Sequence, residues 1–125
     1  MTDLNTINRA VWFDIPVADL DRATAFYSAV LGIKVHREKF ENFDFAVLEH
    51  NEGNGGCLIP DAGAVSRGGI LVYFNANGRI RDAVAQVEQK GGQILKDTHS
   101  IGPHGYRAIV LDSEGNRIAL HSTTQ

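Results

Sequence analysis

The amino-acid sequence predicts an α+β fold in which one unit of strands around a helix occurs twice along the chain. Two amphipathic helical segments lie 60 residues apart, and each is preceded and followed by short apolar strand segments. A shift of the sequence by 60 residues superposes these pairs: Val11 and Leu71, Leu20 and Ile80, Ala23 and Ala83, Gly32 and Gly92, Val35 and Leu95. The 125 residues suit one domain spanning residues 1–125 that buries a hydrophobic core.

The first helix is predicted between Asp19 and Gly32. The Asp19 carboxylate suits the free amides and the positive dipole at a helix start, and glycine accepts the left-handed conformation that ends a helix. The apolar positions between them follow the spacing of one buried face: Leu20, Ala23, Phe26, Tyr27, Val30 and Leu31. Strands are predicted around this helix at residues 11–17, 33–35, 43–49 and 57–59.

The same order of elements recurs in the second half of the chain. Strands at residues 70–74, 94–95, 106–111 and 117–121 surround a helix at residues 80–90, whose buried face holds Ile80, Ala83, Val84 and Val87. Residues 61–67, rich in small side chains, connect a first module at about 8–60 to a second at about 67–122. The pattern alone leaves two architectures open: tandem β-α-β-β-β modules, or an ordinary ferredoxin-like α+β domain.

Composition gives no support to several classes of partner. Twelve basic and fifteen acidic residues give a net charge of −3, so there is no electrostatic reason to bind nucleic acid or an anionic membrane. The single cysteine, Cys57, cannot form an intramolecular disulfide. Residues 1–6 carry an acid where a signal peptide is basic, and no apolar stretch follows. We therefore expect a cytoplasmic protein with no nucleic-acid or membrane partner.

Two motifs resemble the signature of the vicinal-oxygen-chelate superfamily, which includes glyoxalase, bleomycin-resistance and dioxygenase proteins. The first is Asp-Leu-Asp-Arg-Ala-Thr-Ala-Phe-Tyr-Ser-Ala-Val-Leu-Gly at residues 19–32, and the second is Asp-Ser-Glu-Gly-Asn-Arg-Ile-Ala-Leu at residues 112–120. The likeness covers nearly the whole chain, from about residue 10 to residue 121. It implies two tandem β-α-β-β-β modules that form a curved mixed sheet around a cavity, and it also implies a homodimer.

The resemblance also identifies the positions where metal-dependent members of the family bind a divalent cation through His and Glu. Those positions are Trp12, Cys57 or Leu58, Gly69 and Ala119 in this sequence. Only a Cys57 thiolate among them can bind a metal, whereas a site requires three or four donors. The five histidines show no H-x-x-x-H spacing that would rebuild one. We therefore expect neither a metal nor another cofactor.

Four residues are candidates for ligand binding because they are expected to face the cavity from the strands. Trp12 offers a flat ring and one N–H donor, and Tyr73 offers a hydroxyl; for each, simple packing is the alternative. Asp14 and His121 each lie two residues past a metal position, on the same strand face; a solvated place at the rim is the alternative.

The remaining candidates are a glycine and two loop residues. Gly69 leaves room for a ligand because it has no side chain. His104 and Arg107 belong to the segment at residues 101–107, which either covers the mouth of the cavity and reaches an anionic ligand or merely connects two strands. Cys57 is a candidate nucleophile only with a base beside it, and a small buried side chain is the better interpretation.

Two functions of different classes follow. The first is metal-free binding of a small, partly aromatic molecule, similar to the bleomycin-resistance branch of the family. The second is a glyoxalase-type lyase or isomerase that uses a rearranged metal site or acid–base residues such as Asp14, His104 and His121. A sensor or accessory role for another protein is a third, weaker alternative. The sequence identifies no catalytic residue and no particular ligand.

Overall fold

The computed structural model, which describes residues 9–125, contains two units in which strands and a helix follow one another in the same order. The start of the first module, at about residue 8, and the acidic segment at residues 1–6 lie outside the described residues. The first unit contains β1 (Asp14–Val17), α1 (Leu20–Leu31), β2 (Val35–Phe40), β3 (Phe43–Leu48) and β4 (Cys57–Pro60). The second contains β5 (Tyr73–Asn75), α2 (Ile80–Gln89), β6 (Gln93–Ser100), β7 (Tyr106–Leu111) and β8 (Arg117–Ser122).

The two units have the same sheet topology. The strand order is β1-β4-β3-β2 in the first sheet and β5-β8-β7-β6 in the second. In each sheet the first and last strands of the unit pair in parallel, and the other pairs are antiparallel. This repetition confirms the tandem β-α-β-β-β modules and rules out the single ferredoxin-like domain.

Both helices bury the residues that their sequences predict, and their limits agree with the prediction to within one residue. The Asp19 side chain accepts a hydrogen bond from the Arg22 amide at 3.0 Å, and Gly32 has the left-handed φ of 66° that ends α1. The buried residues are Leu20, Ala23, Phe26, Tyr27, Val30 and Leu31 in α1, and Ile80, Ala83, Val84 and Val87 in α2. Neither helix in residues 9–125 has the length and apolarity needed to cross a bilayer.

The helices contact each other and cover one face of each sheet, so each sheet has a helix-facing side and an open side. Alternate strand residues such as Ala46 and Leu48 are buried beneath α1, and Ala108 and Val110 are buried beneath α2. The residues between them point to the open sides. These two open faces are therefore the surfaces on which a ligand site can be built.

The segment Asp112–Asn116 joins the two modules through hydrogen bonds. The Asp112 carboxylate is 2% exposed and accepts the Tyr27 hydroxyl of α1 at 2.6 Å, together with the amides of Glu114 and Asn116. The Asn116 side-chain amide donates to Asp112 at 3.0 Å and to the Pro16 carbonyl of β1 at 2.7 Å. The second family motif thus binds residues of the first module.

Glu114 makes the same connection at the start of α1. Its carboxylate accepts the backbone amides of Ala18 and Asp19 at 3.0 and 2.8 Å, and it forms an ion pair with Arg22. Burial alone would raise the pKa of Glu114, but the hydrogen bonds from Arg22, Asp19 and Ser113 and the charge of Arg22 lower it to about 2. Glu114 is therefore ionised in the folded protein at neutral pH.

Four strands differ by more than one residue from those that the sequence predicts, and one of them is β2, which spans Val35–Phe40 instead of residues 33–35. β1 begins at Asp14 rather than residue 11, and β5 begins at Tyr73 rather than residue 70. Gly69 has a φ of +80°, which is incompatible with a regular strand, and it precedes this late start of β5. β6 continues to Ser100, well beyond residue 95, although its polar residues show no apolar alternation and its pairing with β7 is irregular at two points.

Removing the charge of Glu114 should destabilise the folded protein. We expect Glu114→Gln to lower the free energy of unfolding by about 1.5–3 kcal/mol, because the charge that strengthens the hydrogen bonds from Arg22 and two backbone amides is lost and the side-chain NH2 cannot accept from Arg22. The pKa of Glu114 is lower in the folded state than its ordinary value of 4.5. Its contribution is therefore present above pH 4.5 and disappears as the pH falls from about 4.5 towards 2.

Urea unfolding of the natural protein and the variant between pH 7 and pH 3 tests this expectation. The difference between the two proteins should shrink at acidic pH. Asp21→Asn is the matched control, since Asp21 is an exposed carboxylate that pairs with Arg37 on the surface, where ion pairs contribute little. A Glu114→Gln difference that is no larger than the control, or that does not change with pH, would contradict the assigned role.

Candidate functional site

A depression of about 480 Å³ lies on the open face of the second sheet. Its lining consists of Tyr73, Ile101, His104, Arg107 and His121; we call it the second-module depression. Arg107 of β7 lies opposite His121 of β8, and β5 brings Tyr73 alongside β8. Four of the seven ligand-binding candidates from the sequence, namely Tyr73, His104, Arg107 and His121, therefore meet at one place.

Arg107 forms hydrogen bonds with two neighbouring side chains at this depression. Its Nη1 donates to the Tyr73 hydroxyl oxygen at 2.6 Å, and its Nε donates to Nε2 of His99 at 3.0 Å. Nδ1 of His99 lies 2.8 Å from the carbonyl oxygen of Asp97. Because a carbonyl only accepts and Arg107 only donates, His99 in this arrangement is neutral and carries its proton on Nδ1. His99 thereby fixes the orientation of the Arg107 side chain.

His121 and the neighbouring loop form the other side of the depression. Nε2 of His121 lies 2.7 Å from the His104 carbonyl oxygen and must be the donor of that hydrogen bond. Nδ1 of His121 is left for another partner, and the His121 ring lies edge-on to Tyr73 with 6.5 Å between the ring centroids. Gly105 has a φ of +98°, and a Cβ there would lie 2.5 Å from the Ser122 carbonyl oxygen, so the approach of the loop to β8 requires glycine.

The other three candidates lie elsewhere. Trp12 precedes β1, is 44% exposed and packs edge-on against His50 at 5.5 Å beside a separate depression of about 250 Å³. Asp14 lies on the open face of the first sheet, where its carboxylate accepts the Cys57 thiol at 3.2 Å. Gly69 lines none of these depressions, and its carbonyl is 3.4 Å from Arg117. Asp14 and His121 line different depressions and do not form the pair that their spacing suggested.

The sequence did not indicate His99, and it placed Ile101 only in the segment at residues 101–107, without a role of its own. His99 falls in the part of β6 where no apolar alternation predicts a strand. The pairing of β6 with β7 slips between Lys96 and His99, so sequence spacing could not have placed His99 opposite Arg107. The sequence therefore holds no usable signal for His99, because the strand irregularity that brings it to Arg107 is visible only in the structure.

The four family metal positions do not provide a metal site. The side chains of Trp12 and Ala119 have no atom that can coordinate a metal, Gly69 has no side chain, and Leu58 is buried in the core beneath α1. Burial and the hydrogen bond to Asp14 raise the pKa of the Cys57 thiol to about 11, so it is a protonated donor at neutral pH. Within residues 9–125, no three His, Cys, Asp or Glu side chains converge to hold a metal ion.

The chain is similar to known proteins in two sequence comparisons. Residues 9–51 match the family described as bleomycin resistance protein-like N-terminal. A glyoxylase-like domain-containing protein of Didymella fabae is 29% identical over 114 residues, covering 86% of this chain and 88% of that protein.

Solved structures share the fold at lower sequence identity. A glyoxalase/bleomycin resistance protein of Albidiferax ferrireducens T118 has a TM-score of 0.72 and 19% identity, covering 92% of this chain and 98% of that one. A glyoxalase/bleomycin resistance protein/dioxygenase family enzyme of Burkholderia phytofirmans PsJN has a TM-score of 0.70 and 17% identity, covering 90% and 97%.

The protein is thus of the paired-module class with a glyoxalase/bleomycin resistance-type fold. The family match over residues 9–51 and the similarity to the Didymella fabae protein agree with the vicinal-oxygen-chelate superfamily, whose signature the two sequence motifs resemble. These similarities concern the fold and do not identify the chemistry of the site.

Proposed function

We propose that the protein binds a small, partly aromatic molecule in the second-module depression without a metal ion. The observation that carries this proposal is the hydrogen-bonded group of Tyr73, Arg107 and His99, with His121 beside it, on an otherwise open sheet face. Polar groups that converge on a concave surface are typical of small-molecule sites. By contrast, the positions at which the family binds a metal supply no set of metal-coordinating atoms.

The lining of the depression suits a ligand with an aromatic part. The Tyr73 ring is 46% exposed and offers a flat surface for stacking, and Ile101 adds a half-buried aliphatic contact. The Tyr73 oxygen accepts from Arg107, so the hydroxyl proton is available to a ligand. Proteins of similar fold named for bleomycin resistance support a binding role, although their names describe those proteins and not this one.

A glyoxalase-type lyase or isomerase is the second candidate function. Tyr73 supplies a hydroxyl proton, and Nδ1 of His121 supplies a possible proton acceptor, in one depression. This arrangement offers an acid and a base without a metal. Turnover of a 2-oxoaldehyde hemithioacetal that disappears in both Tyr73→Phe and His121→Gln would favour the enzyme over the binding protein.

Substitution of Tyr73 tests the location of the site. Aromatic ligands found by a fragment screen should bind Tyr73→Ala about tenfold or more weakly than the natural protein, because the stacking surface and the hydroxyl are both lost. Isothermal titration calorimetry measures the change. Trp12→Ala is the control, since Trp12 lies beside a different depression. If Tyr73→Ala keeps its affinity and Trp12→Ala loses it, the ligand binds beside Trp12 and not in the second-module depression, which would contradict the proposal.

We also propose that the protein is a homodimer in which the open faces of the two modules meet. The open face of the first sheet carries Asp14 and Glu38 with a single histidine, and it exposes Phe43 and, at the hairpin, Phe40. Outside the second-module depression, the open face of the second sheet carries the basic side chains of Lys96 and Arg117. Opposite charge and exposed aromatic area favour association of one copy's first module with the other copy's second.

Sedimentation velocity measures this association. Phe40 is 68% exposed and Phe43 44%, so the double variant Phe40→Ser/Phe43→Ser should weaken the dimer at least about tenfold through the loss of apolar contact area. Ala85→Ser, on the exposed side of α2, is the control. A natural protein that sediments as a monomer at every concentration would contradict the dimer.

Two further predictions accompany these proposals. We propose that residues 1–125 form one domain, with modules at about 8–60 and 67–122. We also propose that the protein is cytoplasmic and has no nucleic-acid partner, as its net charge of −3 favours.

A further inference from the structure

The charge of Arg107 has no carboxylate partner in residues 9–125. The ion pairs found there join Arg22 to Glu114, Arg37 to Asp21 and Arg79 to Asp82. Arg107 is half-buried, and its two side-chain partners, Tyr73 and His99, are both neutral. An arginine that neighbouring side chains hold in place without a carboxylate partner has its charge available to an anionic ligand.

The hydrogen bonds that Arg107 already makes leave donors for a ligand. A guanidinium has five N–H donors, of which one at Nε goes to His99 and one at Nη1 goes to Tyr73, so three remain. Because the Tyr73 oxygen accepts from Arg107, its O–H also remains a free donor. The depression therefore presents several donors, and its lining contains no Asp or Glu that would repel an anion.

We infer that the ligand of the second-module depression is an aromatic carboxylate whose carboxylate group is bound by Arg107 and the Tyr73 hydroxyl. This inference rests on the proposed function and specifies the chemical class of its ligand. A planar carboxylate matches the planar guanidinium, and two oxygens can accept from both residues. The aromatic part lies against the exposed Tyr73 ring and Ile101, and the charge of the carboxylate compensates that of Arg107.

The orientation of Arg107 depends on His99, which is a positioning residue rather than a ligand contact. His99 is neutral and accepts from Arg107 Nε, which directs the Nη atoms towards Tyr73 and the depression. His99→Gln can keep an acceptor for Nε, whereas His99→Leu removes it. We therefore expect His99→Leu to weaken carboxylate binding and His99→Gln to restore most of it.

Benzoate and benzamide are the matched probes, because they have nearly the same shape and differ in charge. Titration of each into the full chain is followed by ¹H–¹⁵N spectra, including the Arg107 Nε–H signal. Benzoate should shift signals of Tyr73, Arg107 and His121 with an affinity of roughly millimolar, as expected for a ligand of fragment size. Arg107→Met should weaken benzoate binding about tenfold or more and leave the weaker benzamide binding unchanged.

Two controls keep the result interpretable. Arg117→Met removes a cation from the same open face outside the depression and should leave benzoate binding unchanged. Raising the ionic strength to about 0.15 M should weaken benzoate but not benzamide, and this comparison holds in the natural protein even if a variant does not fold.

Equal binding of benzoate and benzamide, both insensitive to Arg107→Met and to salt, would overturn the carboxylate inference and leave the proposed site standing. Benzoate binding that is lost in Arg117→Met but kept in Arg107→Met would overturn it as well. If neither probe shifts the signals of Tyr73, Arg107 or His121, both the inference and the proposed function fail.

Discussion

The buried carboxylate of Asp112 is the interaction on which the arrangement of the two modules depends. It accepts hydrogen bonds from the Tyr27 hydroxyl, the Asn116 side chain and two backbone amides, and Asn116 continues the connection to Pro16. A buried charge is tolerated only when its acceptor sites are filled, so these groups must come together in the folded state. Burial and the adjacent Asp112 raise the pKa of Tyr27 well above its ordinary value, which keeps the phenol a donor. The motif shared with the family thus has a structural role.

The elements that sequence predicted well are those whose evidence is local. The α1 limits follow from Asp19 and Gly32, and the buried set of each helix follows from the spacing of its apolar residues. β7 also has its predicted limits, because its apolar residues bound it clearly. The later part of β6, residues 96–100, escaped prediction because an edge strand with polar residues on both sides carries no periodic signal. β5 starts late, after Gly69, whose left-handed backbone conformation cannot be read from the sequence.

The sequence predicted some residues of the candidate site and missed others. Tyr73, Arg107 and His121 were predicted because alternation along β5 and β8, and a loop rich in glycine, placed them near a cavity. Trp12 was expected beside them, but β1 begins only at Asp14, so Trp12 packs against His50 instead. His99 reaches Arg107 only because β6 is irregular, and no spacing rule contains that information. Tertiary pairing therefore decides which of the predicted polar residues act together.

We propose that ligand binding by this protein depends on Arg107 and Tyr73 rather than on a metal ion. The most direct test is the metal content of the purified chain, measured by mass spectrometry after exposure to nickel, zinc, iron and manganese and removal of the excess, with ligand binding compared before and after chelator. We predict far less than one metal ion per chain and the same ligand affinity with and without chelator. Near-stoichiometric metal, together with binding that the chelator abolishes, would contradict the account.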